Sequence, residues 1–214
     1  NYIELISNNE DVNNEKYKKG IFNSVKAINT SIDLTNFEEC ELKDSTYENV
    51  HFDKVKFINC DLSNTKFIEC SFHSCDIENS KLLGTMFSNC RMTKLNINNS
   101  ICKYINLVDL KTKELTIKDS DLTESSLFNI ELNKTTFDNV NFTNCKFKNI
   151  SNDFLVSFIA NSISFETFSV STDVVKKILD NDIEELDEKV VKTVNNYLNG
   201  ILYSLTLVDK TEDF

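Results

Sequence analysis

The sequence has no proline, three glycines and one arginine among its 214 residues. Proline and glycine are common turn residues, so their scarcity would be unusual in a β-rich chain. Asn and Asp also tolerate left-handed backbone geometry, and we expect them to take the turn positions instead. With Arg91 as the single arginine, the chain lacks the basic stripe that nucleic-acid binding requires, and we expect no direct binding of nucleic acid.

Sequence motifs of enzymes are also missing. We find no Gly-rich phosphate loop, no pairing of a nucleophile with histidine and no set of ligands with metal spacing. Neither a signal peptide nor a transmembrane run is visible. These absences predict a non-enzymatic protein without cofactor or metal, located in the cytoplasm rather than in a membrane.

A five-residue period runs from Gly20 to Ile150. A large apolar residue recurs at numbers ending in 2 or 7, and a small or aliphatic residue lies two positions before it. The other positions are mostly polar, and the register is unbroken over roughly 26 units. A strand alternates every two residues and a helix repeats every 3.6, so this period predicts a solenoid.

Individual units match a known consensus: a small residue, Asp or Asn, Leu or Phe, and two polar residues. Examples are CDLSN at 60–64, SDLTE at 120–124 and VNFTN at 140–144. Over about 130 residues the chain resembles the pentapeptide-repeat family. The resemblance implies an all-β solenoid, a right-handed quadrilateral β-helix with four pentapeptides per coil. Residues 20–150 would form about 6.5 coils and a rod roughly 30 Å long.

Four pentapeptides per coil would place residues 20 apart in one inward column. Phe57, Leu62, Phe67 and Phe72 are the predicted structural core of one such coil. Asn residues at the last position of many pentapeptides predict hydrogen-bonded ladders along the rod.

Three central positions, Ala27, Cys102 and Thr112, carry smaller residues than the pattern predicts. One interpretation is a compensated packing change, filled by large residues at neighbouring inward positions (Ile105, Leu110 and Leu115). The alternative is a local narrowing or bend that a partner recognises. Seven cysteines, all in inward registers, predict reduced thiols and a cytosolic location.

The period divides the chain into three parts. Residues 1–19 are expected to form an N-terminal cap, with a strand or short helix followed by a loop over 8–19. Residues 151–214 lose the period and predict α-helices that cap the rod. One apolar stripe there predicts a homodimer contact, and it comprises Ile183, Leu186, Val190, Val194, Tyr197 and Ile201.

Charge is distributed unequally along the chain. Residues 20–150 contain 18 acidic and 15 basic residues, and we expect the two signs to be interleaved on every face. Residues 151–214 contain 12 acidic and 5 basic residues.

These features favour a homodimeric scaffold that binds an unidentified protein, in a bacterial cytoplasm. The resemblance leaves two alternatives: a DNA-mimicking inhibitor of DNA gyrase related to quinolone resistance, and a secreted effector or lumenal recognition module.

Overall fold

The computed structural model describes residues 1–150, which form a short helix followed by a parallel β-solenoid of about seven coils. Each strand pairs in register with residues 20 positions away, so that Phe52 lies opposite Phe72 and Ile77 opposite Ile97. This spacing confirms the predicted four pentapeptides per coil.

Helix α1 spans Tyr2–Ser7. The strands are β1 (Val12–Asn13), β2 (Lys16–Lys18), β3 (Lys26–Ile28), β4 (Ser31–Asp33), β5 (Asn36–Glu38), β6 (Thr46–Glu48), β7 (His51–Asp53), β8 (Lys56–Ile58), β9 (Lys66–Ile68) and β10 (Ser71–His73). They continue with β11 (Asp76–Glu78), β12 (Met86–Ser88), β13 (Arg91–Thr93), β14 (Asn96–Asn98), β15 (Asn106–Lys113), β16 (Thr116–Asp121), β17 (Ser126–Glu131), β18 (Thr136–Asn141) and β19 (Lys146–Ile150).

The solenoid has four faces, which we number in chain order by their central residues. Face 1 has Val12, Ile32, Phe52, Phe72, Met92, Thr112 and Leu132 at its centre. Face 2 has Tyr17, Phe37, Phe57, Ile77, Ile97, Ile117 and Phe137. Face 3 has Phe22, Leu42, Leu62, Leu82, Cys102, Leu122 and Phe142. Face 4 has Ala27, Tyr47, Phe67, Phe87, Leu107, Leu127 and Phe147. Coil 1 spans residues 10–29, and each later coil spans the next 20.

The turns between pentapeptides share one backbone conformation. Every residue whose number ends in 4 or 9, from Asn9 to Asn149, has a φ between +48° and +65°. Of the 28 that are not glycine, 16 are Asn or Asp, which tolerate this left-handed region. The expectation for Asn and Asp is therefore confirmed at most turns, although Leu34 and Tyr104 adopt the same geometry.

The core consists of stacked columns of inward side chains. The rings of Phe52 and Phe72 stack with centroids 4.7 Å apart, and Phe67 stacks on both Tyr47 and Phe87 at 5.2 and 4.8 Å. Small polar residues between these columns donate to buried carbonyls one coil below, as Thr65 Oγ1 does to the Leu42 oxygen at 2.7 Å. Hydroxyls and thiols at this position therefore do not leave polar groups unpaired.

The N-terminal end agrees only in part with the prediction. The cap is a short helix, α1, which is one of the two predicted alternatives and buries Tyr2 and Ile6 against the first coil. The predicted loop over 8–19 is wrong, because β1 and β2 lie within it and pair with β4 and β5. The solenoid therefore begins at Val12, and residues 12–19 belong to it rather than to the cap. The five-residue period also fits Val12 and Tyr17, which is the signal that the sequence interpretation missed.

Side-chain ladders run along two corners of the rod. The Asn49 amide donates to Asn29 Oδ1 at 2.8 Å, and Asn149 donates to Asn129 Oδ1 at 2.7 Å. On the opposite corner Asn139 donates to Asp119 Oδ1 at 2.6 Å. The predicted ladders are thus present, with Asp as an acceptor at some steps.

The predicted C-terminal helical cap lies outside the described residues, as does its apolar stripe. Within residues 1–150, no helix is long and apolar enough to cross a membrane.

Candidate functional site

The four predicted core residues contribute one central side chain to each face. Phe57 lies on face 2, Leu62 on face 3, Phe67 on face 4 and Phe72 on face 1, and all four are buried. They fill the interior of the rod over the coils that the structure describes, which leaves the outer surface of these coils for contact with other molecules. The predicted dimer residues Ile183, Leu186, Val190, Val194, Tyr197 and Ile201 lie outside the described part of the chain.

The three off-pattern centres are all buried. At the position of a large apolar side chain, Thr112 forms hydrogen bonds instead of apolar contacts. Its hydroxyl lies 3.1 Å from the Glu131 carbonyl oxygen and 2.9 Å from Thr135 Oγ1. The large neighbours Ile105, Leu110 and Leu115 are buried as well. This arrangement fits the interpretation of a compensated packing change.

The pentapeptide around Cys102 also departs from the pattern on its outer side. Ile101 and Tyr104 are 44 % and 51 % exposed on face 3, where most outward residues are polar. Two isolated apolar side chains are common on protein surfaces and do not by themselves define a binding site.

The two signs of charge are unevenly distributed along face 1. Its first three coils carry Asp11, Asp33, Asp53 and Lys54, and coils 5 to 7 carry Arg91, Lys94, Lys111, Lys113 and Lys134 together with Glu114 and Glu131. Coil 4 lies between them and presents only Ser71, His73 and Ser74. Both signs occur in each half of face 1, as expected, although acidic residues predominate in its first three coils and basic residues in its last three. Counting charges in chain order mixes four faces, and only the 20-residue register separates them.

The acidic half of face 1 is held by local hydrogen bonds. The Ser31 backbone N–H donates to Asp11 Oδ1 at 2.7 Å, and the Thr30 hydroxyl donates to it at 3.0 Å. These two bonds lower the pKa of Asp11. The Ser31 hydroxyl in turn donates to Asp33 Oδ2 at 3.0 Å, so the carboxylates are held in place along the face.

Two carboxylate oxygens on this face lack a hydrogen-bond partner. Asp33 Oδ1 and Asp53 Oδ1 are both buried and unpaired, and their residues lie directly opposite each other on adjacent coils. Asp53 Oδ2 has an ion pair with neighbouring Lys54 at 3.4 Å. Stacked carboxylates of this kind repel each other.

The structure also forms one pairing that sequence reading missed. His51 Nδ1 lies 2.7 Å from Ser71 Oγ on the next coil. A nucleophile and a base within hydrogen-bond distance are one element of covalent catalysis, but this pair is exposed on a flat face. The 20-residue spacing of the two positions is the signal that would have found it.

The described surface includes one shallow depression. A depression of about 280 Å³ lies at the corner between faces 2 and 3, next to Asn99, Ile101, Asp119 and Asp121. Among residues 1–150, no group of three or more His, Cys, Asp or Glu side chains is placed to hold a metal ion.

The seven cysteines are free thiols, and six of them are buried. Burial raises the pKa of Cys60 and Cys102 to about 12 and that of Cys75 to about 11. A raised pKa keeps a thiol protonated and unreactive at neutral pH. These cysteines therefore act as small packing residues.

Comparisons with known proteins agree with this architecture. Residues 50–127 match the family model described as pentapeptide repeat region. No curated protein matches the chain.

Three of the solved structures that match this chain do so at low sequence identity and low TM-score. The pentapeptide repeat protein Rfr23 from the cyanobacterium Cyanothece 51142 is 14% identical, with 68% of this chain and 95% of that chain covered and a TM-score of 0.33. HetL from the cyanobacterium Nostoc sp. strain PCC 7120, involved in heterocyst differentiation regulation, is 9% identical, with 64% and 86% covered and a TM-score of 0.31. QnrB1, a plasmid-mediated fluoroquinolone resistance protein, is 15% identical in its full-length form, with 72% and 99% covered and a TM-score of 0.24.

The family match covers part of the described solenoid, and the coil with partners 20 residues apart continues on both sides of it. Residues 50–127 are therefore a pentapeptide repeat region within a longer solenoid of the same kind.

Proposed function

We propose that this protein is a non-enzymatic scaffold that binds another protein through a lateral face of its solenoid. The observation that carries the proposal is the filled interior, where stacked side chains such as Phe52, Phe67 and Phe72 occupy the centre of the rod. Ligand sites for small molecules are usually concave and largely apolar. The outer surface of this rod is instead flat, polar and regularly spaced, which suits recognition of another macromolecule.

Photo-crosslinking from each face tests the proposal. A benzoylphenylalanine would replace one outward residue per face in the full chain: Ser71, Asn98, Lys81 or Lys66 on faces 1 to 4. We expect a crosslinked protein of one defined mass from one or two adjacent faces, in cells that express the chain at native level. The absence of a defined product from all four faces would contradict a protein-binding role.

Inhibition of DNA gyrase is the alternative function, and it needs a continuous negative surface that imitates DNA. The near balance of 18 acidic and 15 basic residues over 20–150 does not favour it, and neither do the cations on face 1. A supercoiling assay decides between the two functions. We expect gyrase activity to be unchanged at micromolar protein, and inhibition at that concentration would support the alternative instead.

The homodimer contact through the C-terminal stripe is a second part of the proposal. Its support is the apolar spacing of Val190, Val194 and Tyr197 in the sequence. Light scattering of the full chain, compared with a Val190→Glu and Val194→Glu variant, tests it. We expect the variant to have half the mass of the native protein, and equal masses would reject the contact.

A further inference from the structure

Face 4 differs from the other three faces in its outward side chains, which flank the buried central residue of each pentapeptide. Five of these outward side chains are apolar and half-buried: Ile28, Ile68, Met86, Val108 and Phe128. In the described coils, the equivalent positions hold no apolar residue on face 1, one on face 2 and three on face 3. Over coils 4 to 6, the two outward columns of face 4 also carry no charge.

Four of these residues form an apolar strip along the face, which comprises Ile68, Met86, Val108 and Phe128. Val108 lies directly opposite Phe128 on the next coil, and the small residue Ser88 lies between Ile68 and Val108 in the same column. Adjacent coils are about 4.8 Å apart, so the strip from Ile68 to Phe128 is about 14 Å long. Contiguous apolar side chains on a surface favour a contact site for another polypeptide.

The strip ends at a pair of lysines on coil 7. Lys146 and Lys148 flank the central residue of the last face 4 strand, and the corners on either side of them carry Asn144 and Asn149. Toward coil 7 the outward surface of face 4 therefore changes from apolar to cationic.

The described part of the chain also ends on this face. Ile150 is the last residue of β19, which is the face 4 strand of coil 7. Residues 151–183 follow it, and 33 residues span up to about 100 Å when extended. A later segment of the chain can therefore return to any coil of face 4, and its covalent connection gives it a high effective concentration there.

The C-terminal sequence contains a line of side chains with the same order of charge and hydrophobicity, which we call the docking line. At helical spacing, Glu184 and Glu188 are followed by Val191, Leu198 and Leu202. With a rise of 1.5 Å per residue in the predicted helix, Val191 and Leu202 would be about 16 Å apart, close to the length of the apolar strip. The docking line is separate from the apolar stripe of the dimer contact, since the two lie roughly 110° apart around the predicted helix.

Charges at the rim of the face agree with this pairing. Asp109 and Glu124 lie at the two corners of face 4, beside the apolar strip. From Val190 to Val208 the single charged residue is Lys192, so no acidic side chain of this part would meet the two carboxylates. The acidic residues of the docking line precede it and would lie at coil 7.

We propose that face 4 is the docking surface for residues 184–202 of the same chain, which return along the rod from coil 7 toward coil 3. The two glutamates of the docking line then lie near the two lysines of coil 7, and its three apolar residues cover the apolar strip. This inference goes beyond the protein-binding role, because the segment covers face 4 and leaves faces 1 to 3 for a partner protein. A second copy packed on face 4 is the other occupant, and the mass of a crosslinked product distinguishes the two.

Intramolecular photo-crosslinking of the full chain tests the proposal. A benzoylphenylalanine would replace Ser88 at the middle of the strip, and a control chain would carry it at Glu78, the equivalent position on face 2 at the opposite side of the rod. Both chains are irradiated at low concentration and analysed by denaturing gel and peptide mass spectrometry. From Ser88 we expect a product with the mass of one chain, crosslinked to residues 191–202. The Glu78 control should give no crosslink to this segment.

Substitutions in the Ser88 crosslinking chain identify the contacts. Phe128→Glu should reduce the yield at least about threefold, because it places a charge in the apolar strip. Ile101→Glu makes the same change at an exposed apolar residue of face 3 and should leave the yield unchanged. Lys146→Glu and Glu188→Lys should each reduce the yield. The chain with both substitutions should regain it, because opposite charges again face each other.

Circular dichroism shows whether each variant is folded, and the comparison of Ser88 with Glu78 requires no substitution of an apolar strip residue. The Val190→Glu and Val194→Glu variant should keep the crosslink, so failure of the dimer contact and failure of docking are distinguishable. Three results would overturn the proposal: no crosslink from Ser88 to residues 184–202, a crosslinked product with only the mass of two chains, or a folded Phe128→Glu variant with the yield of the native chain.

Discussion

The hydroxyl of Tyr2 lies 2.8 Å from the hydroxyl of Tyr47, and both side chains are 1% exposed. This bond joins helix α1 to the second coil of the solenoid. The Tyr2 ring also packs edge-to-face on Phe37, with centroids 5.2 Å apart. Ala27, the small residue at the centre of β3, lies in the strand beneath Tyr47, and α1 packs against β3. The cap therefore occupies the end of the rod where the central side chain is smallest.

Tyr47→Phe is predicted to destabilise the protein by about 1–3 kcal/mol, because it leaves the buried Tyr2 hydroxyl without its partner. Urea unfolding measures the loss. Tyr2→Phe should have a similar effect, and the double variant should lose less than the sum of the two. Strictly additive losses would mean that the two hydroxyls do not interact.

Phe67→Ala is predicted to cost roughly 3–5 kcal/mol, because it leaves a cavity between the rings of Tyr47 and Phe87. The control is Lys66→Ala, an exposed neighbour whose loss should stay within about 0.5 kcal/mol. Both free energies of unfolding come from urea titration. A loss below about 1 kcal/mol for Phe67→Ala would show that the column tolerates a gap.

Leu34→Asn is predicted to stabilise the protein by about 0.5–1 kcal/mol. Leu34 has a φ of +50° and is 49% exposed, so its side chain gains little from burial while its backbone is in the left-handed region. Asn89→Leu makes the reverse change at a turn with a φ of +54° and should lose a similar amount. Thermal unfolding compares the two variants, and a stabilised Asn89→Leu would refute the conformational explanation.

Alkaline pH is predicted to destabilise the solenoid. Burial raises the pKa of Cys60 and Cys102 from 9.0 to about 12 and that of Cys75 to about 11. Between these values the unfolded chain has lost thiol protons that the folded chain still holds. The stabilisation is therefore complete below pH 9.0 and falls as the pH rises toward the folded pKa.

Urea unfolding at neutral pH and at pH about 10.5 measures this loss, which should be on the order of 1 kcal/mol per pH unit for each buried thiol. Burial raises the pKa of Tyr2 and Tyr47 as well, and both act in the same direction above pH 10. The Cys60→Ala and Cys102→Ala double variant should have a shallower pH dependence. Equal dependence in the variant and the native chain would exclude the thiols as its cause.

The outward columns of face 1 could have been predicted from sequence once the number of residues per coil was known. A spacing of 20 alone places four residues in one column: His51, Ser71, Arg91 and Lys111. Reading charges in chain order concealed their uneven distribution along face 1, because consecutive pentapeptides lie on different faces. The unpaired oxygens of Asp33 and Asp53 could not be predicted, since they depend on how each carboxylate is oriented and buried.

The amino-acid sequence by itself determined the coil, its inward columns and the conformation of each turn. It could do so because every pentapeptide repeats the same local geometry and packs only on its neighbours, so a strict period specifies all contacts at once. Tertiary structure alone decided how the rod begins. Residues 1–9 lie outside the repeat, and the position of Tyr2 depends on the space above Ala27, the ring of Phe37 and the hydroxyl of Tyr47, contacts that no local pattern encodes.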